Sequence, residues 1–120
     1  MLCLHGAPRR VALFTAATLA IASLASLAAA AADPMTYEIT LKDQTFTPAE
    51  LKVPAGTAFI IKVKNENAAP AEFESTDMKF EKVVAGNSEI LTKVKALPGG
   101  IFEFYDEYHE DTARGTVVSE

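Results

Sequence analysis

Pro98-Gly99-Gly100-Ile101-Phe102-Glu103-Phe104-Tyr105-Asp106-Glu107-Tyr108-His109-Glu110-Asp111 carries the chain from a Gly turn, through an apolar segment, into a loop dense in oxygen donors. Pro-Gly-Gly punctuates, and Ile101 to Tyr105 reads as a strand. Beyond it, Asp106, Glu107, Glu110 and Asp111 join Glu103 to surround His109 with carboxylates, and Phe102, Phe104, Tyr105 and Tyr108 add aromatic rings. Adjacent like charges repel, so such a loop is costly unless it is well solvated or binds a cation. Function is therefore sought here first.

The same two-residue rhythm extends outward. Tyr37, Ile39 and Leu41 alternate with Glu38, Thr40 and Lys42, as in a half-buried strand. Leu51 to Val53 forms a short strand before the turn Pro54-Ala55-Gly56. Phe59, Ile61 and Val63 share one face, with Lys62 and Lys64 on the other, and Asn65-Glu66-Asn67 ends that strand. Ala71 to Ser75 and Phe80 to Val84 follow, although Lys79 to Val84 is also compatible with a single helical turn. Ile90, Thr92 and Val94 alternate before Pro98, and Gly115 to Ser119 closes the series. Seven or eight short strands with regular turn signals predict an all-β sandwich or barrel.

The N-terminus has a different character. Arg9 and Arg10 precede an uncharged apolar run, Val11 to Leu27, which ends in Ala28 to Ala32 before Asp33-Pro34. A basic start, an apolar middle and small residues at the end describe a secretory signal peptide over residues 1–32, cleaved after Ala30 or Ala32. The alternative is a retained membrane anchor, which the Ala-rich run and the small-residue end disfavour. The expected mature domain is then residues 33–120, enough for one compact core.

All 16 acidic residues lie in that domain, whereas Arg9 and Arg10, two of the 11 Lys and Arg, do not, so its net charge is near −7. That balance excludes nucleic acid and anionic membrane as natural partners and suits a cationic ligand. Cys3 is the one cysteine and departs with the signal, leaving no disulfide, thiolate ligand or thiol nucleophile. No Gly-rich phosphate loop and no Ser-His-Asp set is present.

The element order resembles the cupredoxins. Phe46-Thr47-Pro48-Ala49-Glu50-Leu51-Lys52-Val53-Pro54-Ala55-Gly56-Thr57 is similar to the family's opening, and Phe59 to Asn67 to its next strand. Pro98 to Tyr105, His109 and Gly115-Thr116-Val117-Val118 resemble its last strands and ligand loop. The resemblance covers about Thr36 to Ser119 and implies a cupredoxin-like Greek-key β-sandwich. The family's blue-copper site uses two His, one Cys and usually a Met. Here Ala71 or Glu72 stands near the first His position, Tyr105 at the Cys, His109 at the second His, and Ala113 or Arg114 near the Met. A Cys–copper charge-transfer site cannot form with that set.

A subgroup of cupredoxin-like periplasmic proteins that accompany bacterial iron permeases resembles the chain more closely. The passages are Glu72-Phe73-Glu74-Ser75, Glu81-Lys82-Val83-Val84 and Phe104-Tyr105-Asp106-Glu107-Tyr108-His109. Membership implies a periplasmic protein of ferrous iron uptake that binds copper, iron or both and works with permease components in the inner membrane. Assistance to Fe(II) oxidation, a ferroxidase-like activity, is implied as well. The alternative role is a non-catalytic module that delivers iron to, or scaffolds, a membrane partner; a metal-free sandwich used for protein contacts is the third.

In the cupredoxin arrangement the loops after Asn67 and after Tyr105 meet at one end of the sandwich. Glu72 or Glu74 is thus expected near Asp106, Glu107 and His109. Imidazole with several carboxylates suits Fe(II), Fe(III), Mn(II), Zn(II) or Cu(II), and not Cu(I). Asp106 and Glu107 are adjacent, so on a strand they face opposite ways, whereas on a bent loop both converge. His109 reads either as a ligand or as an ordinary loop histidine. Glu72 and Glu74 read either as a site pair or as a solvated face with Phe73 inward. Met78 is either a thioether ligand or a gap-filler. Tyr105 and Tyr108 are either redox-active or gating groups, or packing residues.

Overall fold

The computed structural model describes Gly6 and residues 33–120; the remainder of the expected signal segment, with Cys3 and His5, lies outside the described residues. Residues 33–120 form one compact unit. Its strands are β1 (Met35–Lys42), β2 (Thr45–Thr47), β3 (Glu50–Val53), β4 (Phe59–Asn65), β5 (Ala71–Ser75), β6 (Phe80–Val84), β7 (Ser88–Val94), β8 (Gly100–Asp106) and β9 (Arg114–Ser119). One sheet has the order β2-β1-β4-β7 and the other β3-β9-β8-β5-β6.

The alternating pattern dictates this two-sheet packing. Ile39 and Leu41 of β1 and Ile61 and Val63 of β4 are buried from one side; Phe73, Val84, Phe104 and Val117 meet them from the other. Phe104 packs edge-on against Phe46 at 5.2 Å and Phe73 at 5.4 Å between centroids, and such pairs add to the simple burial of area. The all-β sandwich expectation holds with nine strands rather than seven or eight. The additional one, β2, is too short to show a period and exists through its pairing with β1, Leu41 opposite Phe46. Residues 79–84 form no helical turn: Lys79 takes a left-handed φ of 60°, and Phe80–Val84 continues as a strand.

One polar clamp fixes the approach to β5. Asn65 is 1% exposed at the end of β4. Its Nδ2 lies within donating distance of the carbonyl oxygens of Ala69 (2.9 Å), Val84 (3.2 Å) and Ala85 (3.3 Å), and its Oδ1 accepts from Asn67 N at 3.0 Å. The β4–β5 loop is thereby tied to the end of β6. Gly86 makes the close approach possible, since a Cβ there would overlap the Ala68 carbonyl.

Gly86→Ala is expected to cost about 1–3 kcal/mol, the usual range for forcing atoms into a packed contact. Gly99→Ala, whose added Cβ would meet nothing nearer than Ser119 O at 3.7 Å, is expected to be near neutral. Urea unfolding of both variants checks the contrast.

Candidate metal centre

Strand alternation sorts the acidic residues into two sets. Along β5, Phe73 faces the core, so Glu72 and Glu74 project together from the outer face. β6 lies alongside with Glu74 opposite Glu81 and Glu72 opposite Val83, which puts Glu81 on that face too. Across β8, Phe73 pairs with Asp106 and Glu74 with Tyr105. Asp106, the last residue of β8, therefore points inward and Glu107 outward. A single 3-10 turn, Glu107–His109, follows.

Glu72, Glu74 and Glu107 each offer a carboxylate oxygen such that all three oxygens lie within 4.8 Å of one another. Glu72 is buried, Glu74 half-buried and Glu107 exposed. Oε2 of Glu74 is buried with no hydrogen-bond donor, an uncommon state for a carboxylate oxygen. Charge of one sign so concentrated is tolerated only if protons or a cation intervene. The hydrogen bond to Glu74, then that to Glu72, and the negative charge of both raise Glu107 to about 7. Glu81 is raised chiefly by its hydrogen bond to Glu72. Glu72 is lowered by accepting from Glu81 and Glu107, against the opposing effect of burial. The Tyr108 hydroxyl, hydrogen-bonded to Glu72, is raised as well. Within the cluster the anionic form is thus favoured at Glu72 and disfavoured at Glu107 and Glu81.

Asp106 is 1% exposed and serves the fold directly. Its Oδ1 accepts from Glu72 N at 2.9 Å and Tyr108 N at 3.1 Å, and its Oδ2 lies 3.0 Å from His109 Nδ1. A carboxylate only accepts, so Nδ1 carries the hydrogen and Nε2 is left open. His109 lines a separate cleft with Asp43, Gln44 and Asn67. Met78 is buried and lines another cleft with Lys79, Lys93 and Lys95.

Of the six residues expected at the site, the structure brings Glu72, Glu74 and Glu107 together. Asp106 and His109 form a pair of their own beside them, and Met78 lies in different surroundings. Glu81 was not among the expected residues; its place follows from the hairpin register, which sets like charges directly opposite, an arrangement that ordinarily destabilises. Tyr105 hydrogen-bonds Thr76 at 3.1 Å, and Arg114 covers its ring at 5.2 Å. The residues present do not fit the Cys-His-His-Met copper set. Ala71 and Ala113 are buried apolar residues, Tyr105 has no thiolate to offer, and Nδ1 of His109 is engaged by Asp106.

The sequence model of the cupredoxin-like domain matches residues 11–119. The chain belongs to the cupredoxin-like family. Among relatives of this cupredoxin-like protein, an uncharacterized protein of Rickettsia prowazekii (strain Madrid E) is 33% identical over 81 residues, 68% of this chain and 65% of that protein's length. Auracyanin A, a "blue" copper protein of Chloroflexus aurantiacus, is similar in structure with a TM-score of 0.63 and 19% identity, over 72% of this chain and 99% of that one. The metal-binding domain of a Streptococcus pneumoniae Cu(I)-exporting P-type ATPase has a TM-score of 0.63 and 13% identity, over 77% and 92% of the two chains. A purple cupredoxin of Nitrosopumilus maritimus reaches 0.53 with 16% identity, over 69% and 98%. These neighbours share the fold of this cupredoxin-like protein and include proteins that bind copper.

Glu107 and Glu81 are both raised in the folded state, so the fold binds more protons than the unfolded chain above the ordinary carboxylate value. The contribution of Glu107 is fully present below about pH 4.5 and is lost as pH rises through about 7, and that of Glu81 is lost in the same direction. The metal-free protein is therefore expected to melt at a lower temperature at pH 8 than at pH 5. Glu107→Gln should flatten that slope, as read by calorimetry. Asp106→Ala is expected to cost on the order of 3 kcal/mol, since it strands buried donors. Asp106→Asn, which retains Oδ1, should cost less in chemical denaturation.

Proposed function

We propose that this protein is a periplasmic iron-binding protein of a ferrous iron uptake system, holding the ion on Glu72, Glu74 and Glu107. The observation that carries this reading is the approach of three carboxylates, from β5 and the turn after β8, to within 4.8 Å of one another. The buried Oε2 of Glu74, which no amide, hydroxyl or ammonium donor reaches, supports it, because a shared proton or a cation is what can satisfy it. Carboxylate oxygen is a hard donor, suited to iron and unsuited to Cu(I). Cu(II) is the competing ion to test, given copper-binding neighbours.

The same donors favour oxidation. Each negative oxygen interacts more strongly with a trivalent than with a divalent ion, so the site stabilises Fe(III) over Fe(II) as an electron passes to dioxygen. Binding also requires Glu107 to release its proton, so affinity should fall as pH drops below about 7. The alternative, delivery without oxidation to a permease in the inner membrane, is favoured by one feature. Val83 and Tyr108 are 59% and 50% exposed beside the cluster, giving the site an apolar rim open to a partner.

Calorimetric titration of the purified protein with Fe(II), Fe(III) and Cu(II), followed by stopped-flow Fe(II) oxidation in air, tests the proposal. Glu74→Gln and Glu107→Gln are expected to weaken iron binding about tenfold or more, by analogy with the 10–100-fold cost of even indirect ligand losses. At least one should slow oxidation more than it weakens Fe(II) binding. Oxidation no faster than in buffer, with the site occupied, would leave the delivery role. Absence of binding by all three ions would remove both.

A further inference from the structure

A second cleft lies between the β5–β6 turn and the segment that leaves β7. It has a volume of about 310 Å³ and is lined by Asp77, Met78, Lys79, Lys93, Lys95, Ala96 and Leu97. We infer that this cleft binds a small, multiply charged oxyanion, of the phosphate or aliphatic polycarboxylate kind, through Lys79, Lys93 and Lys95.

The charge distribution motivates the inference. The domain is strongly acidic, yet three lysines converge on one cleft, and among the described residues none of them makes an ion pair. Lys62, Lys64 and Arg114, by contrast, each pair with a glutamate. Like charges gathered in a concave site repel one another and focus a positive potential, which an anion relieves. Lysine ammoniums act as compact point charges with several donors, the form suited to an oxyanion. The floor is formed by Met78 and Leu97, 9% and 8% exposed, and an apolar floor strengthens attraction by excluding water.

Two features separate this cleft from a chance gathering of surface lysines. Lysines often guard exposed sheet edges, and Lys82 fits that description, its Nζ reaching Leu91 O at 3.1 Å. Lys79 lies instead in a turn and Lys95 lies beyond the end of β7. The turn is also held rigidly. Ser75, 1% exposed, donates to Glu103 O at 2.5 Å and accepts from Met78 N at 2.9 Å. Asp77, the acid on the lining, accepts from Glu103 N at 2.9 Å, which turns its carboxylate toward β8. Lys79 is thereby fixed at φ 60°, on a wall formed before any ligand arrives.

The test is a two-dimensional NMR titration of the full protein with inorganic phosphate and, separately, with propane-1,2,3-tricarboxylate, at constant ionic strength set by chloride. Saturable shifts at Met78, Lys79, Lys95 and Leu97 are expected, with dissociation constants on the order of a millimolar. Tighter binding of the tricarboxylate assigns the apolar floor to a carbon skeleton; tighter binding of phosphate assigns the site to inorganic anion. Lys93→Ala with Lys95→Ala should weaken either ligand tenfold or more, and Lys95→Glu should abolish binding. Unchanged affinity in these variants, shifts spread equally to Lys42 and Lys52, or no saturable shift with either anion would overturn the inference.

Discussion

Asp106 is a buried charge, and the acidic end of the molecule is organised around it. Burying a lone carboxylate costs several kcal/mol unless donors replace its water. Here two backbone amides and an imidazole do so. One amide belongs to β5 and the other to the turn after β8, so the carboxylate joins two strands' ends through a single side chain. Glu72 shares a residue with the first amide, and Glu107 stands between Asp106 and the second. Their side chains meet on the outer face because the atoms beneath them are fixed by Asp106.

That arrangement explains how the protein holds like charges together. Three glutamates in mutual reach, with a fourth across the hairpin, are held in the metal-free state by shared protons. In the proposed role, a metal ion would compete with those protons for the same oxygens. The frame that resists the repulsion lies on the other side of the sheet, in Phe46, Phe73 and Phe104. Stability is thus provided on the inner face and the proposed site lies on the outer, with alternation along β5 dividing the two.

Most of the sandwich was legible because Tyr37 to Leu41, Phe59 to Val63 and Ile90 to Val94 alternate cleanly, and alternation is the direct imprint of a half-buried strand. β2 was not legible, since three residues carry no period and its existence depends on pairing with β1. The site was legible in part. Glu72 or Glu74 was expected near Asp106, Glu107 and His109 from the family arrangement; the structure brings both glutamates to Glu107 and sets Asp106 and His109 apart as a pair. The inward turn of Asp106 was one of two readings its position allowed, and the end of β8 decided between them. Glu81 could not be placed from sequence, because its neighbour is set by hairpin register. Met78 looked close in sequence to Glu74, but the reversal at Lys79 directs it toward the lysine cleft.

The position of β9 has a consequence for how the molecule comes into being. It lies inside its sheet, parallel to β3 with Leu51 opposite Val117, and antiparallel to β8 with Phe102 opposite Val117. Until residues 114–119 are available, β3 has no partner in that sheet and Phe104 lacks the Val117 side of its enclosure. Pairings so distant along the chain also form slowly, because loop closure precedes any gain from contact. The second sheet is therefore complete only once its last strand lies between β3 and β8, so the sandwich is closed by the segment made last.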